Sequence, residues 1–211
     1  MGHVLFLRKG SVHTRPIALP PGYTRLLYIQ STGTQYADTG FKPTGKTRVV
    51  CEFCAYDQST TQQGVFGARN GTSGRFTLFT GNSTASVQAD YSTVETLSKW
   101  DIAIAGMDLT SRTKIDMSHS LIINGVTVKT VSIAEFNSNH NMYIFANNNA
   151  GTTQLLAKMK LWYFQLYNDD TLIRDYIPCI NASDEVGLYD LVTQAFFGNA
   201  GTGVFTGGEA T

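Results

Sequence analysis

Residues 158–178 read KMKLWYFQLYNDDTLIRDYIP. Two apolar runs flank Asn168-Asp169-Asp170, a cluster of turn-forming residues. At a two-residue period the first run, Lys158–Tyr167, is apolar on both faces, which predicts a central strand. The second run, Thr171–Pro178, returns across a hairpin-like turn. A hairpin built on a central strand predicts a sheet, and the neighbouring segments extend it.

KTRVVCEFCAY (46–56) alternates, with Thr47, Val49, Cys51, Phe53 and Ala55 on one face and Arg48, Val50, Glu52 and Cys54 on the other. GRFTLFTG (74–81) sets Phe76 and Leu78 against Arg75, Thr77 and Phe79. SLIINGVTVKTV (120–131) has Asn124-Gly125 at its centre, the strongest short hairpin signal. MYIFANN (142–148), GLYDL (187–191) and AFFG (195–198) read as further strands. YIQSTGTQYADTG (28–40) reads as two strands around a Gly-containing turn, with Tyr28, Ile29 and Tyr36 in packing roles. No segment has a convincing amphipathic helical period; Ser132–Phe136 is long enough for one turn. Turn signals every 8–12 residues predict two packed antiparallel sheets.

Composition agrees. Charged residues make up 15% of the 211-residue chain, well below the usual ~25%, while Gly, Ser, Thr and Asn are abundant. The 16 basic and 16 acidic residues cancel, so bulk charge gives no case for nucleic acid or a membrane surface as partner. No run approaches the ~20 apolar residues of a membrane helix. The first apolar run, Val4–Leu7, is too short for a signal peptide, and its basic residues follow it. The odd count of three cysteines (Cys51, Cys54 and Cys179) argues against a disulfide framework, although a Cys51–Cys179 bridge stays open.

Residues 1–18 stand apart from the main body, residues 19–211. VLFLRKG (4–10) is a short strand, and Pro16, Pro20 and Pro21 make the connector stiff and extended. An unpaired apolar strand needs an edge to join. Val4, Leu5, Phe6, Leu7, Arg8 and Lys9 are therefore the candidate anchoring residues. The arm is basic, whereas residues 169–211 hold seven acids against Arg174 alone, complementary ends of one molecule or of neighbouring subunits.

Several segments, in order, carry a family likeness: YIQSTGTQYADTG, TRVVCEF, FGARN (66–70), the Asn124-Gly125 turn, FANN (145–148), KLWYFQLY, RDYIPC (174–179), VGLYD (186–190) and FFGNAGTG (196–203). Together they resemble the concanavalin A-like, laminin-G-like jelly-roll domains of bacteriophage virion proteins and gut-bacterial surface proteins, over residues 20–207. The resemblance implies an all-β two-sheet jelly roll. The arm resembles the N-terminal anchors of tail, fibre or capsid-decorating proteins. It implies a virion protein made in the host bacterial cytoplasm, with other virion proteins and further copies of itself as partners and a host-surface glycan as target. The alternative is a stand-alone bacterial carbohydrate-binding module. Because one such fold serves many functions, the sites must carry the argument.

No catalytic constellation emerges. Glycosidases need two carboxylates about 5–10 Å apart, and the five glutamates are scattered. Asp184-Glu185 and Asp169-Asp170 read as solvated turns, and no Gly-x-Ser-x-Gly elbow is present. The expectation is a non-enzyme without a cofactor. The laminin-G likeness raises a rim Ca²⁺ held by Asp101, Asp108, Asp116 and Asn147–Asn149, yet no compact ligand spacing supports it. Glycan binding needs a stacking ring beside amides. Its candidates are Tyr91 and Trp100, with Arg69 and Asn70 in one loop and Asn147, Asn148 and Asn149 in another. The competing readings are core packing for the rings and a polar turn for the amides.

Overall fold

The computed structural model describes residues 19–57, 62–70, 73–81, 83–92, 95–98, 104 and 107–211. The anchoring candidates Val4–Lys9, together with Trp100 and Asp101, lie outside the described residues. Every regular element among the described residues is a strand, and the strands form two sheets in a sandwich-like arrangement.

The first sheet runs in the order β11 (Val126–Thr130), β10 (Ser120–Ile123), β9 (Thr113–Met117), β4 (Thr47–Cys54), β15 (Lys158–Asn168), β16 (Thr171–Ile180), β17 (Val186–Asp190) and β18 (Ala195–Phe197). Three short strands add to it: β1 (Thr24–Arg25) on β16, β2 (Ile29–Thr32) on β15, and β19 (Thr206–Gly207) on β2. The second sheet runs β14 (Thr152–Gln154), β13 (Asn147–Asn149), β5 (Gln63–Asn70), β6 (Ser73–Thr80), β7 (Val87–Ser92) and β8 (Glu95–Ser98). There β12 (Tyr143–Ile144) bridges β5 and β3 (Ala37–Asp38).

The expected hairpins form. β15 and β16 turn through Asp169 and Asp170, both at positive φ (50° and 61°), with Asn168 paired to Thr171. Positive φ at both central residues matches the twist of the flanking strands. Asn124 (φ 50°) and Gly125 (φ 83°) do the same between β10 and β11. β15 is central, paired with β4 on one side and with β2 and β16 on the other.

Its apolar character on both faces has a specific cause. The register against β4 shifts between Leu161 and Tyr163, which turns Trp162 and Tyr163 outward together while Leu161 and Phe164 stay in the core.

The core lies between the sheets. From the first come Val49, Cys51, Phe53, Ile115, Leu161, Phe164 and Tyr176, and from the second Phe66, Ala68, Phe76, Leu78, Ala89 and Tyr91. Phe66 meets Phe164 edge to face across the layers, ring centres 5.5 Å apart. All three cysteines are buried and free, so the Cys51–Cys179 bridge does not form. Burial pushes the Cys179 thiol up to about 12, which keeps it a protonated apolar filler.

Two local expectations change. MYIFANN is two strands, because Phe145 at φ 67° reverses the chain between β12 and β13. That backbone costs about 1–2 kcal/mol for a non-glycine residue. Burial of the Phe145 ring against Phe205 (5.6 Å) offsets it. YIQSTGTQYADTG does supply two strands, but they belong to different sheets. Gly33 (φ 103°) and the Gln35 carboxamide, which accepts from Thr32 N–H at 2.8 Å, make the crossing.

Candidate functional site

The glycan candidates from two separate loops converge. β13 pairs parallel with β5, with Asn148 opposite Ala68 and Asn149 opposite Arg69. β14 then folds back on β13, placing Gln154 beside Asn147. The Gln154 Oε1 atom accepts from Arg69 Nη2 (3.1 Å) and from Asn149 Nδ2 (3.1 Å). Arg69, Asn147, Asn149 and Gln154 thus form one polar cluster from three strands.

Glycines make room for it. A Cβ at Gly64 would lie 2.8 Å from the Ala146 carbonyl carbon and 3.0 Å from Asn147 N. A Cβ at Gly67 would lie 2.7 Å from Asn147 Oδ1 and 2.9 Å from the Thr77 methyl. Only glycine lets the Ala146–Asn147 backbone and the Asn147 carboxamide approach β5 this closely.

Beyond Gly67 the polar row continues through Thr77 to Asp90, whose registers are paired. Asp90 is buried, accepts both oxygens' worth of hydrogen bonding from Gln88 Nε2 (2.8 and 2.9 Å), and lies 3.9 Å from Arg75 Nη1. Burial raises its pKa, opposed by the Gln88 hydrogen bonds and the Arg75 charge. Burial lowers that of Arg69, and the neighbouring Arg75 charge adds to the effect.

The cluster is under-satisfied. Five buried side-chain N or O atoms among the described residues lack a hydrogen-bond partner, and four belong here: Arg69 Nε, Asn147 Nδ2, Asn147 Oδ1 and Asn149 Oδ1. Buried polar atoms in folded proteins are overwhelmingly paired, so such a concentration sets this cluster apart from the rest of the described residues. Asn147 is 0% exposed, whereas Arg69, Asn149 and Gln154 are half-buried.

The other candidates fall elsewhere. Asn148 is structural: its Nδ2 donates to Asn141 O (3.0 Å) and its Oδ1 accepts from Gly151 N–H (2.9 Å). Asn70 ends β5, half-buried and paired in register with Ser73. Tyr91 is a correction. It is fully buried among Phe76 and Phe136, and its hydroxyl donates to Gly45 O (2.7 Å) and accepts from Ala134 N–H (3.2 Å). A ring enclosed in the core is no stacking platform for a sugar.

Of the proposed calcium ligands, Asp101 lies outside the described residues, and Asp108 and Asp116 have other partners. Asp108 caps its own turn through Thr110 and Ser111, and Asp116 forms a two-pronged ion pair with Arg48 (2.8 and 2.7 Å). Among the described residues no group of three or more His, Cys, Asp or Glu side chains is placed to hold a metal.

Two features escaped sequence reading. The outer face of the first sheet carries a cation-capped aromatic stripe: Trp162 against Tyr28 (5.9 Å), Lys160 over Tyr28 (4.4 Å), Arg112 over Trp162 (4.9 Å) and Arg48 over Tyr167 (5.2 Å). The bulge at Trp162 creates it, and no periodicity announces a bulge. A shallow depression of about 320 Å³ is lined by residues that include Asp184, Glu185, Asn199 and Phe205. Their side chains serve local turns: Asn199 Oδ1 accepts from Gly201 N–H (2.8 Å), and Glu185 accepts from Asn181 Nδ2 (3.3 Å).

No protein-family model matches the chain, and no curated protein matches it.

Proposed function

We propose that this chain is a non-enzymatic bacteriophage virion protein. In this reading a jelly-roll sandwich displays a glycan-binding cluster at Arg69, Asn147, Asn149 and Gln154, and the arm of residues 1–18 fixes it to a larger assembly. The observation that carries the binding role is the concentration of unpartnered amide and guanidinium atoms in that cluster. Sugar hydroxyls both donate and accept, so they complement the half-buried guanidinium and amides of Arg69, Asn149 and Gln154 at the rim of the cluster. The virion role rests on the sequence likeness and on the arm, whose apolar strand would join an edge of a partner by β-augmentation.

The non-enzymatic reading is supported by what the acids do. Glu52 pairs with Arg112, Asp116 with Arg48 and Asp57 with Lys158, while Asp190 accepts from the Asp175 and Val192 N–H groups. Each of these carboxylates is committed to holding structure.

A glycan array on the purified chain tests the binding role. Sugar binding that is lost in Asn149→Ala supports it; no hit at millimolar ligand overturns it. Deletion of residues 1–18 separates the two settings. A virion anchor requires that assembly be lost while the sandwich still folds and binds. A stand-alone carbohydrate-binding module requires that nothing but the arm be lost.

A further inference from the structure

We infer that the depression beside β17 is the seat of this chain's own arm, with the Arg15 stem over its apolar lining and the guanidinium between Asp184 and Glu185; this rests on the anchor reading of residues 1–18 above. Two loops build the depression, each held by an asparagine. Asn181 Oδ1 accepts from the Ser183 and Glu185 N–H groups (2.8 and 3.0 Å), and its Nδ2 donates to Glu185 Oε2 (3.3 Å). Asn199 Oδ1 accepts from the Tyr36 and Gly201 N–H groups (3.2 and 2.8 Å), and its Nδ2 donates to the Thr202 and Gly203 carbonyls (3.2 and 3.0 Å). The space of about 320 Å³ between them is therefore pre-formed. Unlike the amide cluster, it is open to solvent: Asp184, Glu185, Gly203 and Val204 are exposed, Val204 by 74%. Val186 and the buried Phe205 complete the apolar lining.

Charge, and the place where the described chain begins, identify the occupant. Every ion pair among the described residues uses an acid other than Asp184 and Glu185. Residues 1–18 hold Arg8, Lys9 and Arg15 and no acid. Leu19, the first described residue, packs with Tyr23 and Phe196 on the cluster of Ile177, Cys179 and Tyr189. Phe196 also borders the acidic turn, since a Cβ on Gly198 would strike Glu185 Oε1 and touch Phe196 Cε1. On the same turn, a Cβ on Gly22 would lie 2.9 Å from that of Ala182. The arm therefore joins the body beside these acids. Arg15 stands four residues before Leu19, a reach of about 13–14 Å in extended chain, and Pro16 biases Arg15 toward that form. So short a tether sets an effective concentration on the order of millimolar, which favours the chain's own arm over a neighbour's. An arginine lays its stem on apolar surface and sends a forked head to carboxylates, the two features this depression offers. Seated there, the arm leaves the body in one direction, and the Val4–Leu7 strand has less ordering left to do when it meets a partner edge.

The test uses the full chain with a nitroxide label on Ser11→Cys. The three native thiols are buried, and the unsubstituted chain is the labelling control. Paramagnetic broadening of backbone amide NMR signals reports which surface the arm visits. The amides of Asp184, Val186, Gly201 and Gly203 should broaden when label and isotope are on one chain, and stay sharp when they are on different chains. Asp184→Asn with Glu185→Gln should weaken docking about two- to thirtyfold, the worth of two exposed ion pairs. Arg15→Gln should act in the same direction, as should raising salt from about 0.02 M to about 0.5 M. The exchanged pair, Arg15→Asp with Asp184→Arg, should restore part of the broadening.

Sharp signals throughout the depression in the labelled parent overturn the inference. Broadening that persists unchanged after both acids are neutralised also overturns it, since the contact is then not the ion pair. Broadening confined to mixtures of labelled and isotopic chains overturns the own-arm assignment and gives the seat to a neighbouring copy. None of these results removes the anchor reading, which falls only if deletion of residues 1–18 leaves assembly intact.

Discussion

Replacing Tyr91 by Phe separates a structural ring from a sugar-stacking one. The substitution keeps the ring and its contacts with Phe76 and Phe136, and removes one oxygen. That oxygen donates to Gly45 O at 2.7 Å and accepts from Ala134 N–H at 3.2 Å. Both partners are backbone groups in a crowded place, because a Cβ on Gly45 would collide with the Ala134 carbonyl oxygen. Backbone held this tightly has little freedom to find new partners. Leaving a buried donor and acceptor unmet costs about 1–3 kcal/mol. For a domain of this size that lowers Tm by about 2–12 °C, taking roughly 2–4 °C per kcal/mol. Urea unfolding followed by Trp fluorescence measures the loss, which should appear in the midpoint with the slope unchanged. Glycan binding should be unaffected. A variant as stable as the parent, or one that loses sugar binding at full stability, refutes the assignment of Tyr91 to the core.

Other substitutions probe the cluster and the sheets. Gly67→Ala places a methyl group 2.7 Å from Asn147 Oδ1 and 2.9 Å from the Thr77 methyl, so it should cost about 1–3 kcal/mol and abolish ligand binding by displacing the carboxamide; thermal unfolding and titration report the two effects. Asp90→Asn tests the buried carboxylate. Because burial raises the folded pKa, the stability linked to protonated Asp90 is fully present below the ordinary carboxylate range and is lost as pH rises through the folded value. The variant should therefore gain on the parent with rising pH in denaturant titrations, whereas parallel stability curves would contradict the shift. Gly125→Ala, at φ 83° with open space around its Cβ position, should cost about 1 kcal/mol by backbone strain alone and leave binding intact.

Much of this was legible residue by residue. Strand β4 shows its inward face as every second side chain, and the β15–β16 and β10–β11 hairpins announce their turns through Asp169-Asp170 and Asn124-Gly125. These signals are local, since side-chain alternation and turn chemistry act within a few residues. The two amide- and guanidinium-bearing loops were also recognisable as candidates. Their meeting was not, because Arg69 and Asn149 are eighty positions apart and pair through a short parallel register that leaves no periodic trace.

The sequence by itself determined that the chain is built of strands joined largely by antiparallel hairpins, through two-residue alternation and local turn chemistry, while the parallel pairing of β13 with β5 came only from the tertiary structure. Tertiary structure alone decided which polar groups end in company and which end unpartnered. Tyr91 and Trp162 are both aromatic and both lie in or beside strands, yet one is enclosed between the sheets and the other is turned outward by a bulge. The difference is one of burial, a property of the packed neighbours and not of the residue, and burial likewise separates the enclosed amide of Asn147 from the half-buried side chains of Arg69, Asn149 and Gln154.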